Sequence, residues 1–228
     1  EFTMYEKIYK EKLKTAEEAA ALIKDGDEIA VGFGANFPVE FDRALADRAD
    51  ELNHVAIRNG VLVDSSRLVA VGGPFLWQSW HGTGDARRAL DRGTANHIPV
   101  RYSEIIRYVT ENRDTDALVI SVAPMDKHGY FNFGIVGSHF YPLAEKAKRV
   151  IVEVNEKQPR IFGCSQSELH IDQVDVIIEA APHTMGVLPN RAYGDLDKKI
   201  AETVVERMED ESTVQLGIGA LPNAIGDV

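Results

Sequence analysis

The sequence predicts an α/β fold with a mainly parallel sheet and flanking helices. Short apolar strands alternate with helical patterns along most of the chain. One strand, residues 117–122, is apolar almost throughout, as strands buried on both faces of a parallel sheet are. Twice a strand runs into glycines and then a helix start: Gly32-Phe33-Gly34 ahead of Pro38, and Gly217-Ile218-Gly219 ahead of Pro222.

The first clear element is a helix over residues 15–24, where Thr15 and Glu18 have capping-box spacing and Gly26 follows the end. Residues 27–31 read as a strand, and Pro38 opens a second helix through Phe41, Leu45 and Ala49. Residues 55–57 and 67–71 read as strands, the latter before Gly72-Gly73. Residues 77–90 show no single period. Residues 97–100 are strand-like, 104–109 a short helix, 141–148 a helix, and 149–154 and 174–179 strands. Pro182, Pro189 and Gly194 bracket a stretch without periodicity, which reads as a linker. A helix follows over 197–207, then a strand over 213–216. The expected domains are 1–195 and 196–228, the second being the opening of another α/β unit cut short at Val228. Glu1-Phe2-Thr3 ahead of Met4 reads as an appended leader.

Composition narrows the function. At 228 residues with 44% hydrophobic side chains, the chain can bury a large core. A net charge of -11 disfavours nucleic-acid binding, which needs a basic face, but leaves room for a phosphate held by backbone amides. The single cysteine, Cys164, permits no internal disulfide and fits a reducing cytoplasm. No apolar run approaches the ~18–20 residues of a membrane helix.

The strongest local signal is Gly217-Ile218-Gly219-Ala220-Leu221-Pro222-Asn223. A strand-glycine-helix turn presents amides at the positive end of a helix, where a phosphate, a carboxylate or an oxyanion can be held, although a plain connection has the same spacing. Gly32-Phe33-Gly34-Ala35-Asn36-Phe37 has the same layout but lacks the third glycine of a dinucleotide fingerprint, and reads as a structural turn at a cleft edge. In Ser121-Val122-Ala123-Pro124-Met125-Asp126-Lys127-His128-Gly129-Tyr130, a polar loop follows an apolar strand; His128 could be a general base, a substrate contact or a loop cap. The remaining histidines lack metal-ligand spacing, so no metal site is expected. Trp77 and Trp80 read as packing, as does Cys164.

Three segments together resemble the acetyl-CoA hydrolase / 4-hydroxybutyrate CoA-transferase family. Residues 215–224 resemble its CoA-binding turn. Residues 121–134 resemble its S-x-x-P-x-D-x-H-G-Y-x-x-F-G segment, and Val152-Glu153-Val154-Asn155 with Pro159-Arg160 resembles its V-N-x-x-x-P-R stretch. The resemblance implies two similar NagB/RpiA-type α/β domains with the active site between them. It implies exchange of CoA between an acyl-CoA, such as acetyl-CoA, and a short-chain carboxylate through a glutamyl-CoA thioester. Gly217, Ile218, Gly219, Ala220 and Leu221 would contact CoA, which is a substrate rather than a tightly bound cofactor. The nucleophilic glutamate would lie beyond Val228, so no residue here inherits a catalytic role and the chain alone is expected to be inactive. A cytoplasmic homodimer or larger homo-oligomer is implied, with no nucleic-acid or membrane partner. An acetyl-CoA hydrolase of the same family, or a non-catalytic module binding CoA or an acidic ligand, are the alternatives. A sugar-phosphate isomerase would not need the 215–224 turn together with the His-Gly-Tyr loop.

Overall fold

The computed structural model describes residues 4–187 and 190–228. Two compact units are present, Glu1–Gly186 and Val187–Val228. In the first, a seven-stranded sheet is built from β1 (Glu28–Val31), β2 (Val55–Asn59), β3 (Phe75–Ser79), β4 (Ala95–His97), β5 (Ala117–Val122), β7 (Val150–Val154) and β9 (Val176–Glu179). Their order is β4-β3-β2-β1-β5-β7-β9 and every pairing is parallel. Two short strands, β6 (Tyr130–Asn132) and β8 (Glu168–His170), form a separate antiparallel pair.

Alternation of side chains sends the strand residues into two cores. Ile29, Val31, Ile57 and Val119 face α2 (Ala16–Ala20), α3 (Val39–Ala46), α4 (Arg67–Val71) and α5 (Gly84–Asp91). Ala30, Leu118, Ile120 and Val152 face α6 (Ile105–Glu111), α7 (Phe140–Ala144) and the β6-β8 pair. All six residues of β5 are buried, in keeping with its apolar sequence. The capping box also forms: the Glu18 amide donates to Thr15 Oγ1 at 3.1 Å, and the Thr15 amide to Glu18 Oε2 at 2.9 Å. No helix among the described residues is long and apolar enough to cross a membrane.

Several elements differ from the sequence reading. Residues 67–71 form a helix, not a strand, because two side chains satisfy its first amides. Ser66 Oγ accepts the Val69 amide at 3.1 Å, and the buried Asp42 accepts the amides of Arg67 at 2.7 Å and Leu68 at 3.4 Å and the Ser66 hydroxyl at 2.6 Å. A further helix, α1 (Met4–Lys12), precedes the first predicted element, and its Tyr5, Ile8 and Tyr9 pack on the second core. Residues 77–90 resolve into the end of β3 and α5.

In the second unit α8 (Asp195–Val205) packs against α9 (Ala220–Asp227), burying Ala201 and Ala224. Residues 213–216 are irregular, not a strand: strands persist only when paired, and the described residues of this unit supply no partner. The landmark Pro189 lies outside the described residues.

Asp42→Ala leaves the part-buried Arg67 amide, the buried Leu68 amide and the Ser66 hydroxyl without their acceptor. Urea unfolding is expected to show a loss of about 2–3 kcal/mol, against about 1 kcal/mol for Ser66→Ala. A change within error for Asp42→Ala would contradict this assignment.

Candidate functional site

The order in which strands join the sheet reverses between β1 and β5: β2, β3 and β4 extend it on one side, β7 and β9 on the other. Open parallel sheets bind ligands outside the carboxyl ends of their strands at such a point. The loop after β1 turns tightly there: the Gly32 amide bonds the Val119 carbonyl at 2.8 Å, and a Cβ at Gly32 would overlap the Asn36 carbonyl. The buried Asn36 donates through Nδ2 to the carbonyls of Ser121 at 2.9 Å and Phe133 at 2.7 Å. Gln158 Nε2 reaches the same Phe133 carbonyl at 3.0 Å. Asn155, at the end of β7, receives the amides of Lys157 at 3.1 Å and His183 at 3.3 Å and donates to the His183 carbonyl at 2.9 Å. The residues read as a structural turn, 32–38, thus occupy the switch point itself.

Glu153 on β7 is fully buried and accepts the amides of Glu40 at 3.2 Å and Phe41 at 2.8 Å, at the start of α3. Burial pushes its carboxyl up to about 7, against those amides, with the nearby Glu40 adding to the rise. Asp42 is likewise raised by burial, to about 6. Burial depresses His139 to about 4, with the Arg58 charge adding to the effect.

A cavity of about 710 Å³ lies at the carboxyl ends of β5, β7 and β9 beside α1. Tyr5, Tyr9, Pro124, Met125, Val154 and Ala180 supply its apolar wall, with acidic and basic side chains around them. The Tyr9 hydroxyl donates to Glu179 Oε1 at 3.0 Å, and burial, followed by Glu179, holds its pKa well above the ordinary range. Sequence reasoning missed this cavity along with α1. The signal was Tyr5, Ile8 and Tyr9 at helical spacing.

The segment 121–130 is organised by Asp126 rather than by His128. Asp126 Oδ1 accepts the amides of His128 at 2.8 Å and Tyr130 at 2.9 Å, and Oδ2 pairs with Arg160 at 3.0 Å. Burial alone would raise the Asp126 carboxyl; these bonds and the Arg160 charge hold it below the ordinary range. Gly129, at φ +86, brings the turn against His170 and Tyr5, where any Cβ would crowd both rings. The His128 ring is exposed. Trp77 and Trp80 are buried packing residues, whereas Cys164 is exposed.

Gly217, Ile218, Gly219, Ala220 and Leu221 lie together in the second unit. Gly217 and Ile218 are exposed, Ile218 at 83%. Gly219 precedes α9 at φ +149, a conformation suited to glycine, and Ala220 and Leu221 form the first helical positions. The first bond back along this turn runs from the Asn223 amide to the Gly219 carbonyl. Among the described residues the amides of 217–221 make no hydrogen bond into the rest of the chain. Asn223 ties the turn to Asn190 and to the Arg191 carbonyl.

A sequence model of the acetyl-CoA hydrolase/transferase N-terminal domain matches residues 2–189. The chain belongs to this family. It is 38% identical to a butyryl-CoA:acetate CoA-transferase of Anaerostipes caccae over 98% of its own length and 51% of the relative's. It is 34% identical to a 4-hydroxybutyrate coenzyme A transferase of Clostridium kluyveri over 97% of its length and 52% of the relative's. Among solved structures, RipA from Yersinia pestis superposes with a TM-score of 0.88 at 28% identity, covering 98% of this chain and 54% of that one. The chain therefore spans about half the length of the curated relatives it matches. The parallel sheet with flanking helices is the family's fold, as the sequence predicted.

Replacing Glu153 by glutamine tests its burial. Because the folded carboxyl titrates near 7 and an unfolded one near 4.5, its contribution to stability is complete below 4.5 and is lost as pH rises through 7. The loss is on the order of 3 kcal/mol. Asp42 acts in the same direction and His139 in the opposite one, so the difference between two proteins is the informative quantity. Between pH 5 and 8, wild type is expected to lose more stability in urea than Glu153→Gln; parallel pH profiles would contradict this.

Proposed function

We propose that the full-length protein containing this chain is a CoA-transferase, moving CoA between an acyl-CoA such as acetyl-CoA and a short-chain carboxylate. The observation that carries the reading is the turn Gly217–Leu221, whose amides lie uncommitted at the start of α9. Relatives on either side of 35% identity are CoA-transferases, which favours transfer over hydrolysis.

The chemistry proceeds through a glutamate of the second domain, to which no position in this chain corresponds. Its carboxylate attacks the thioester carbonyl, expelling CoA thiolate and leaving a mixed anhydride. The thiolate attacks the glutamyl carbonyl of that anhydride, releasing the first carboxylate and forming a glutamyl-CoA thioester. The incoming carboxylate then reverses these steps. Each addition creates an oxyanion, and main-chain donors such as those of 217–221 are suited to CoA and to that charge. CoA is substrate throughout. The working enzyme is proposed to be a cytoplasmic homodimer or larger homo-oligomer.

Steady-state kinetics test this. The full-length protein is expected to transfer CoA from acetyl-CoA to butyrate, and the 228-residue chain to show no turnover. Gly219→Ala in the full-length enzyme, which forces a side chain onto φ +149, should lower kcat/KM by about 10²-fold. Full activity in that variant, or turnover by the short chain, would contradict the reading.

A further inference from the structure

The cavity beside α1 is lined by residues of the first unit, and the CoA-transfer chemistry gives it no role. Its helical wall is fixed in advance. Lys12 Nζ donates to the carbonyls of Ile171 at 2.8 Å and Val174 at 2.7 Å, and the Lys14 amide donates to the Ile177 carbonyl at 2.8 Å. The Tyr9 ring stacks on Phe131 with centroids 6.1 Å apart, and Tyr5 meets His170 edge-on at 5.2 Å. At about 710 Å³ the space suits a small organic molecule. Pockets for such molecules join an apolar wall to a few polar groups that fix orientation.

The polar groups here favour a cation. Glu6, Asp126, Glu156 and Glu179 outnumber Lys10 and Lys127 around the cavity. Asp126 is paired with Arg160 at 3.0 Å, which still leaves three carboxylates against two amines. Glu179 is tied to the aromatic wall, because its Oε1 accepts the Tyr9 hydroxyl at 3.0 Å. Among the described residues Glu179 makes no ion pair, and its Oε2 is left for another donor. An ammonium on that oxygen would have tyrosine rings close by, and aromatic faces attract cations. An anion would meet the reverse: an excess of carboxylates around the cavity, in a chain of net charge -11. CoA and short-chain carboxylates, all anions, are poor occupants for that reason.

We propose that this cavity binds a small amphipathic primary amine, with its apolar body against Tyr5, Tyr9, Met125 and Val154 and its ammonium on Glu179. The site is separate from the turn at 217–221, and the inference does not rest on the functional reading above.

Three ligands that share one apolar body separate charge from shape: hexylamine, hexanol and hexanoate. At about pH 7 the first is a cation, the second neutral and the third an anion. Titrating each into the 228-residue chain, followed by proton–nitrogen NMR spectra, gives the dissociation constants. The amine is expected to bind at least about tenfold more tightly than hexanoate, with nuclear Overhauser contacts from its alkyl chain to Tyr5 and Tyr9. Glu179→Gln, a near-isosteric change at an exposed position, should weaken the amine about tenfold. Hexanol binding should be unchanged in that variant, which also shows that its cavity is intact. Equal affinity for amine and carboxylate would overturn the inference. So would an amine affinity indifferent to Glu179→Gln, an equal loss of amine and alcohol binding in that variant, or contacts confined to another face. Absence of amine binding up to about 10 mM would overturn it as well.

Discussion

Loop backbone at the carboxyl edge of a parallel sheet has no ladder to pair with, and a few buried side chains supply its partners here. Asn36 joins the loop after β1 to β5 and to Phe133. Glu153 receives the first amides of α3. Asn155 ties the end of β7 to His183, and Asn132 joins the loops at 134 and 161. An unpaired amide or carbonyl in such a place costs about 1–3 kcal/mol, so these four residues hold the loops at the carboxyl edge of the sheet in place. The cost of the arrangement is visible in Glu153, whose carboxyl is kept near neutrality by its own burial.

That edge also shows how sequence motifs divide between structure and chemistry. The segment 121–130 has the polar loop and the histidine expected of a site, yet Asp126 spends its acceptors on the turn's own backbone and on Arg160. Gly129 is required by φ and by crowding. The turn at 217–221 differs: among the described residues its amides make no hydrogen bond to the rest of the chain, the first amides of a helix having no partner within it.

Much of the fold was legible because it is written locally. The apolar run 117–122 is β5 with the same bounds, the Thr15–Glu18 capping box forms as spaced, and the two glycine turns precede helical structure. The misreadings have non-local causes. Residues 67–71 are rich in valine and leucine, which suit a strand as well as a short helix. What decides is the Asp42 carboxylate, 25 residues earlier in sequence. Helix α1 carries many charges and only a narrow apolar stripe, so it and the cavity beside it went unseen. Residues 213–216 have strand composition but no strand to join. The glycine turn at 217–221, proposed to contact CoA, has the turn-then-helix form its spacing predicts; the buried polar edge was not legible, because Asn36, Glu153 and Asn155 meet their partners across the fold.

The central claim is that the amides of 217–221 face coenzyme A. A crystal structure of the full-length protein with CoA bound addresses it most directly. The account predicts amide nitrogens of this turn within about 3.2 Å of CoA oxygen or sulfur atoms. Amides of 217–221 bonded only to protein, with CoA seated elsewhere, would contradict it.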